Sequence, residues 1–102
     1  MQTITVEELN ARMQAGEPPI LVDVREPYEH SDFNIGGVLH PLGRILQADV
    51  DELDSMKDKE VVIYCRSGNR SGQACLMLET MGFTNVKNLV GGMLAWRDRF
   101  PS

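Results

Sequence analysis

The chain has 102 residues, of which 42% are hydrophobic and 25% charged, and its formal net charge is −5 at pH 7. This composition is typical of one soluble globular domain covering residues 1–102, and no apolar stretch is long enough to cross a bilayer. The acidic balance argues against a nucleic-acid-binding protein, and the lack of a basic and apolar leader at the amino terminus predicts a cytoplasmic location.

The first third of the chain predicts a helix, a strand and a shorter helical segment. Thr5 and Glu8 match a capping box, and apolar residues then recur at helical spacing as far as Gly16. The apolar run over residues 20–24 predicts a strand buried on both faces, and residues 27–32 suit a short helix or turn.

The middle third predicts two strands separated by a helix. Residues 38–39 favour a brief strand that ends at Pro41, and residues 61–64 form an apolar run typical of a buried strand. Between them, four apolar residues spaced four, three and three apart predict a single helix face: Leu46, Val50, Leu53 and Met56.

The last third predicts a helix over residues 71–81, a strand over residues 86–90, and a final helix after the glycine turn at residues 91–92. Trp96 is interpreted as a core or helix-packing residue rather than a ligand contact. Because strands alternate with helices along the chain, we expect parallel pairing through right-handed crossovers, and hence a three-layer α/β domain.

Cys65 stands where the predicted strand over residues 61–64 meets a polar and basic loop. Ligand sites of α/β sheets lie at the carboxyl ends of strands, where we expect the loop amides and the positive end of the next helix to point at the cysteine. Arg66 and Arg70 add two positive charges. Each feature favours the reactive thiolate, so the sequence predicts that Cys65 is a nucleophile. The residues predicted to bind an anionic substrate around it are Arg66, Ser67, Gly68, Asn69, Arg70 and Ser71.

The second cysteine, Cys75, is interpreted as a small buried hydrophobe on a helix. A disulfide with Cys65 is not expected, because it would have to join a strand end to the third turn of the following helix. The two cysteines show neither a CxxC pair nor the spacing of metal ligands, so no metal and no cofactor is predicted.

Four short motifs, in their order along the chain, resemble the rhodanese (sulfurtransferase) family. They are Asp23 with Arg25, residues 34–37 (NIGG), residues 65–70 (CRSGNR), and residues 91–92 followed by Trp96. The resemblance covers nearly the whole chain. It implies a five-stranded, mostly parallel sheet with helices on both faces, in which the active loop follows the fourth strand.

The same resemblance implies a chemistry for Cys65. The cysteine would take a sulfane sulfur from a donor such as thiosulfate and hold it as a persulfide, which an acceptor such as cyanide then removes. A ring of loop amides stabilises such an anion without a proton-transfer residue, in keeping with the lack of a histidine in the loop. Arg70 is expected to orient the loop and Arg66 to face incoming anions.

Asp23 and Arg25 are interpreted as structural support, an ion pair at a strand end, with substrate contact as the alternative role. Glu29 is a candidate third member of their network. His30 and His40 are interpreted as surface or structural residues, with a place in the pocket as the alternative for His40.

Residues 32–39 depart from the family pattern, because they lack its usual histidine and proline. This version looks most like the rhodanese domains fused to enzymes that adenylate ubiquitin-like sulfur carriers. The expected partners are therefore a small anionic sulfur donor and a sulfur-carrier or other thiol-containing protein, with no nucleic acid and no membrane.

Two other functions stay open. A regulatory or partner-binding module of the same fold would need no catalysis, but the chain retains both the cysteine and the basic loop. A cysteine phosphatase or arsenate reductase is the second alternative. Phosphatases of this kind use C-x5-R, whereas Cys65 to Arg70 reads C-x4-R, a tighter loop suited to a single sulfur or to the end of thiosulfate.

Overall fold

Five short strands form one parallel sheet in the computed structural model, which describes residues 1–101. In chain order they are β1 (Gln2–Ile4), β2 (Ile20–Asp23), β3 (Val38–Leu39), β4 (Val61–Tyr64) and β5 (Val86–Leu89). Across the sheet the order is β1-β5-β4-β2-β3, and every neighbouring pair is parallel. β4 is therefore the central strand, between β5 and β2.

Helices connect the strands. They are α1 (Val6–Gln14), α2 (Pro27–Asp32), α3 (Leu42–Leu46), a 3-10 helix (Asp51–Met56), α4 (Asn69–Thr80) and α5 (Gly92–Arg99). The predicted capping box of α1 is confirmed, because the Thr5 hydroxyl accepts a hydrogen bond from the Glu8 amide at 3.1 Å and the Glu8 carboxylate accepts one from the Thr5 amide at 2.9 Å. Within residues 1–101, no helix combines the length and the apolar character that a membrane span requires.

The strands separate two hydrophobic layers, because successive side chains of a strand point to opposite faces of the sheet. Val62 and Tyr64 of β4 pack with α1 and α5, and Trp96 belongs to this layer. Ile63 and its neighbours on the other face pack with α3, the 3-10 helix and α4. The expected three-layer α/β architecture and the core role of Trp96 are thus confirmed.

The single helix face predicted from Leu46 to Met56 is wrong. Helix α3 ends at Leu46, which is 50% exposed, and a separate 3-10 helix begins at Asp51. Between them Ala48 takes a left-handed conformation with φ of 60°, which an α-helix cannot contain. The backbone amide of Asp49 turns back to the Arg44 carbonyl at 2.8 Å, so the chain reverses where the apolar spacing suggested continuity.

Other differences concern the ends of elements and one additional strand. Strand β1 was not predicted from residue patterns, and α4 begins two residues before the predicted start at residue 71. Strands β2 and β5 each end one residue earlier than predicted. The first residue after β5, Val90, is exposed and lies in the turn before α5.

Candidate active site

Cys65 is the first residue after the central strand β4, at the carboxyl edge of the sheet. Its side chain is 1% exposed and packs among the apolar residues of the α4 face. The following residues form a short loop that enters α4 at Asn69. The fold thus places this sulfur beneath a loop and at the start of a helix, where backbone amides are free to donate.

A backbone amide and a hydroxyl lie within hydrogen-bonding distance of the Cys65 sulfur. The backbone amide of Gly68 donates to Sγ at 3.1 Å, and the Ser71 hydroxyl lies 3.3 Å from it. Gly68 has φ of 104°, a conformation that side-chain-bearing residues rarely adopt, and it directly precedes α4. The remaining loop side chains, those of Ser67 and Asn69, are exposed.

A buried amide on the neighbouring strand supports both of these groups. Asn88 of β5 accepts a hydrogen bond from the Ser71 hydroxyl through Oδ1, and its Nδ2 donates to the Gly68 carbonyl at 3.1 Å. The two contacts fix which end of the amide faces Ser71. Asn88 was not predicted as a site residue, because the strand over residues 86–90 contains two polar residues, Lys87 and Asn88, and no pattern distinguishes them.

The pKa of the Cys65 thiol is set by opposing influences. Burial raises it, but hydrogen bonds from the Ser71 hydroxyl and from the amides of Ser71, Gly68 and Ser67 outweigh burial, and the net shift is downward. In Cys75 burial acts without such donors and raises the pKa to about 12. Both thiols are free and buried, so their pKa values differ because of hydrogen-bond donors and not because of solvent exposure.

The two loop arginines differ in their surroundings. Arg70 forms a bidentate ion pair with Glu29 of α2, with nitrogen–oxygen distances of 2.7 and 2.8 Å. Its guanidinium lowers the pKa of Glu29 to about 2 against the opposing effect of burial. Arg66 is exposed and has no ion pair within the part of the chain that the structure describes. The charge of Arg70 is therefore shared with a carboxylate, whereas that of Arg66 is not.

Asp23 and Arg25 form a buried ion pair at the end of β2, with Nη2 2.8 Å from Oδ2. The Nδ1 atom of His30 lies 2.8 Å from the same carboxylate oxygen, and Arg25 also donates to the Phe33 carbonyl. These contacts attach the carboxyl-terminal part of α2 to the end of β2. The third member of the network is thus His30, whereas Glu29, the residue suggested for this place, pairs with Arg70.

His40, the first residue after β3, is fully buried. Its Nε2 atom lies 2.7 Å from the Asp49 carbonyl oxygen, and its Nδ1 atom has no hydrogen-bond partner among the described residues. The contact with Asp49 gives His40 a structural position in the turn after α3. Across residues 1–101 there is also no group of three or more histidine, cysteine, aspartate or glutamate side chains able to hold a metal ion.

Helix α5 holds the first part of the loop. The amides of Met93 and Leu94 donate to the carbonyls of Cys65 and Arg66, each at 2.9 Å. This approach is possible because Gly92 has no side chain: a Cβ atom there would overlap the Cys65 carbonyl oxygen. The sequence predicts a turn at residues 91–92, but the contact of this turn with the Cys65 loop is long-range and has no local signal.

A cleft of about 510 Å³ lies beside the loop. We call it the α2–α5 cleft; it is bordered by Tyr28 and Phe33 on the α2 side, by Leu94 and Arg97 of α5, and by Arg66 of the loop. The cleft brings the Cys65 loop together with two helices that no pattern in the sequence associates.

Comparisons with known proteins agree with this geometry. Residues 5–99 match the model of the rhodanese-like domain family. A protein named sulfurtransferase from Allochromatium vinosum is 41% identical over 93 residues, covering 91% of this chain and 85% of the relative. A probable adenylyltransferase/sulfurtransferase, MoeZ of Mycobacterium tuberculosis, is 31% identical over 94 residues, covering 92% of this chain and 24% of the relative. The crystal structure of a rhodanese-like domain protein from Staphylococcus aureus superposes with a TM-score of 0.80 at 33% identity, covering 94% of this chain and 91% of that one.

Proposed function

The chain belongs to the rhodanese-like domain family, and on that premise we propose that it transfers a sulfane sulfur from thiosulfate to a thiophilic acceptor through a persulfide on Cys65. Its relatives are sulfurtransferases, and this chain is a sulfurtransferase of the same family. The donor, the acceptor and the intermediate are the content of the proposal. The observation that carries it is the Cys65 sulfur, which is buried and lies within hydrogen-bonding distance of the Gly68 amide and the Ser71 hydroxyl.

In the first step the Cys65 thiolate attacks the outer sulfur of thiosulfate. A bond forms between Sγ and that sulfur, and the sulfur–sulfur bond of thiosulfate breaks with its electron pair leaving on sulfite. Because sulfite is already a stable anion, the step needs no general acid. This fits a site whose donors to the sulfur are amides and a hydroxyl.

In the second step an acceptor such as cyanide attacks the outer sulfur of the persulfide. The new carbon–sulfur bond forms, the sulfur–sulfur bond breaks, and its electron pair returns to Cys65 as the thiolate. The same hydrogen bonds then stabilise the leaving sulfur, so one set of donors serves both steps. Loop residues 66–71 would bind the donor, with Arg66 facing incoming anions and Arg70 bracing the loop through Glu29.

A sulfur-carrier or other thiol-containing protein is the proposed biological acceptor. One relative, MoeZ, is named as an adenylyltransferase/sulfurtransferase, and another, YrkF of Bacillus subtilis, as a putative sulfur carrier protein. Such an acceptor would use the second step unchanged, with its own thiolate in place of cyanide.

Intact-mass measurement after treatment with thiosulfate tests the proposal. The wild-type protein should gain one sulfur atom, which cyanide removes as thiocyanate. Cys65→Ala should gain none and lose thiosulfate:cyanide turnover. The matched control is Cys75→Ala, which removes the other buried thiol. This variant should retain both the sulfur gain and the thiosulfate:cyanide turnover. Persulfide formation or full turnover in Cys65→Ala would refute the role of this cysteine.

A further inference from the structure

The α2–α5 cleft is larger than the proposed sulfur donor or cyanide requires. Its volume of about 510 Å³ lies within the range of sites that bind whole small-molecule ligands. The cleft borders Arg66, and the first turn of α5 beside it is hydrogen-bonded to the carbonyls of Cys65 and Arg66. A molecule in the cleft is therefore next to the active loop.

The charges around the cleft favour an anion. Arg25 and Glu29 are each engaged, with Asp23 and Arg70 respectively. Three other charged residues line the cleft: Arg66, Arg97 and Asp32. None of the three forms an ion pair within residues 1–101. This leaves a local positive charge on a chain whose net charge is −5.

Arg97 is held in a defined position at this edge. Its guanidinium carbon lies 4.7 Å from the centroid of the Phe33 ring, a cation–π distance that leaves its donors free for a ligand. Two exposed hydrophobic side chains line the same cleft: Tyr28 is 75% exposed and Leu94 is 49% exposed. The combination suits a ligand with a carboxylate and a short chain of peptide-like size.

We propose that the α2–α5 cleft selects low-molecular-weight acceptor thiols that carry a carboxylate, and that Arg97 is the residue that determines this preference. The inference rests on the proposed persulfide chemistry. The acceptor thiolate attacks the outer sulfur of the Cys65 persulfide, the sulfur–sulfur bond breaks, and the electron pair returns to Cys65. The acceptor leaves as its own persulfide, and its thiol proton has already gone to solvent. The outer sulfur of the persulfide would lie one sulfur–sulfur bond, about 2 Å, from the buried Sγ.

Glutathione and its diethyl ester are matched probes, because they share a thiol and differ in two carboxylate charges. We expect the wild-type persulfide to react with a higher kcat/KM with glutathione than with the ester, and this preference should shrink as salt rises. Arg97→Gln should lower the preference about five-fold, the effect expected from loss of one exposed ion pair. The control is Arg99→Gln on the same helix, whose guanidinium faces Glu7 at 3.4 Å outside the cleft, and it should keep the wild-type preference.

The outcomes separate the two proposals. If the wild-type protein forms no persulfide and turns over no cyanide, the proposed function fails. If cyanide turnover is normal but wild type shows no preference, or Arg97→Gln leaves it unchanged, the cleft inference alone is refuted. A preference for glutathione that does not change with salt also refutes the cleft inference. So does a loss of preference in Arg99→Gln equal to that in Arg97→Gln.

Discussion

Replacing Ser71 with alanine tests whether hydrogen bonds, rather than charge, keep Cys65 reactive. The Ser71 hydroxyl has one proton and two neighbours that can accept it, the Cys65 sulfur at 3.3 Å and Oδ1 of Asn88. In the thiol state Cys65 can donate to Ser71, which donates to Asn88. In the thiolate state the hydroxyl must turn to the sulfur, because the thiolate has no proton to give.

The magnitude follows from the strength of a hydrogen bond to a charged group, about 1.5–3 kcal/mol. The 3.3 Å separation and the sulfur acceptor favour the lower end of that range. A loss of about 1.4 kcal/mol corresponds to a ten-fold change in equilibrium. Ser71→Ala should therefore raise the pKa of Cys65 and reduce the thiolate fraction about ten-fold at a pH below the titration midpoint.

Alkylation by iodoacetamide as a function of pH measures this fraction. Cys75 does not interfere, because burial raises its pKa to about 12. The matched control is Ser67→Ala, which removes an exposed hydroxyl and leaves the Ser67 amide in place. Circular dichroism confirms that each variant is folded. An unchanged profile for Ser71→Ala, or an equal shift in Ser67→Ala, would show that the hydroxyl does not stabilise the thiolate.

Three further predictions concern the surroundings of the loop. Gly92→Ala should lower the free energy of unfolding, measured in urea, by at least about 2 kcal/mol and should lower sulfur transfer, because φ is 54° and the added Cβ overlaps the Cys65 carbonyl. The control Gly43→Ala, which adds a Cβ in open space, should change neither stability nor sulfur transfer. The Glu29 pKa is about 2 in the folded protein and 4.5 without its contacts, so its stabilising contribution is full above pH 4.5 and is lost as the pH falls toward 2. Glu29→Gln should remove this acid-dependent stability and also impair sulfur transfer. The control is Glu60→Gln: the pKa of Glu60 is also about 2, so this variant should change acid stability alone. An equal loss of sulfur transfer in both variants would contradict the bracing role of Glu29. Arg66→Ala should raise KM for thiosulfate about five-fold at low salt and less at high salt, and a salt-independent effect would exclude simple charge attraction.

Much of the fold could be predicted because its central elements have local causes. The apolar run of β4 identifies a buried strand by itself, and the polar loop with a helical pattern behind it locates Cys65 at the strand end. The capping box of α1 is equally local, since its two hydrogen bonds join residues three apart. Strand β1 has no such signal, because its three residues become a strand only by pairing with β5 at the far end of the chain.

The support of the site could not be predicted for a related reason. The Arg70–Glu29 ion pair joins residues 41 apart, and the Ser71–Asn88 hydrogen bond joins residues 17 apart. Neither spacing has a pattern in the sequence, so each contact follows from where the sheet places its strands. Residue types point to Cys65 as the candidate nucleophile, whereas the three-dimensional order of the strands determines which side chains hold its loop.

The attachment of the loop to α5 has a consequence for the newly made protein. The ribosome synthesises the loop before β5 and α5, so a growing chain that stops short of residue 88 contains Cys65 but lacks Asn88 and the amides of Met93 and Leu94. Such a chain lacks the Asn88 contacts that hold Gly68 and Ser71 beside the sulfur, so we expect the pKa of its Cys65 thiol to lie nearer the ordinary value. We therefore expect the thiol to become activated only when the last strand and helix pack on the sheet. An unfinished chain would then exchange less readily with the disulfides of other proteins than the folded protein does.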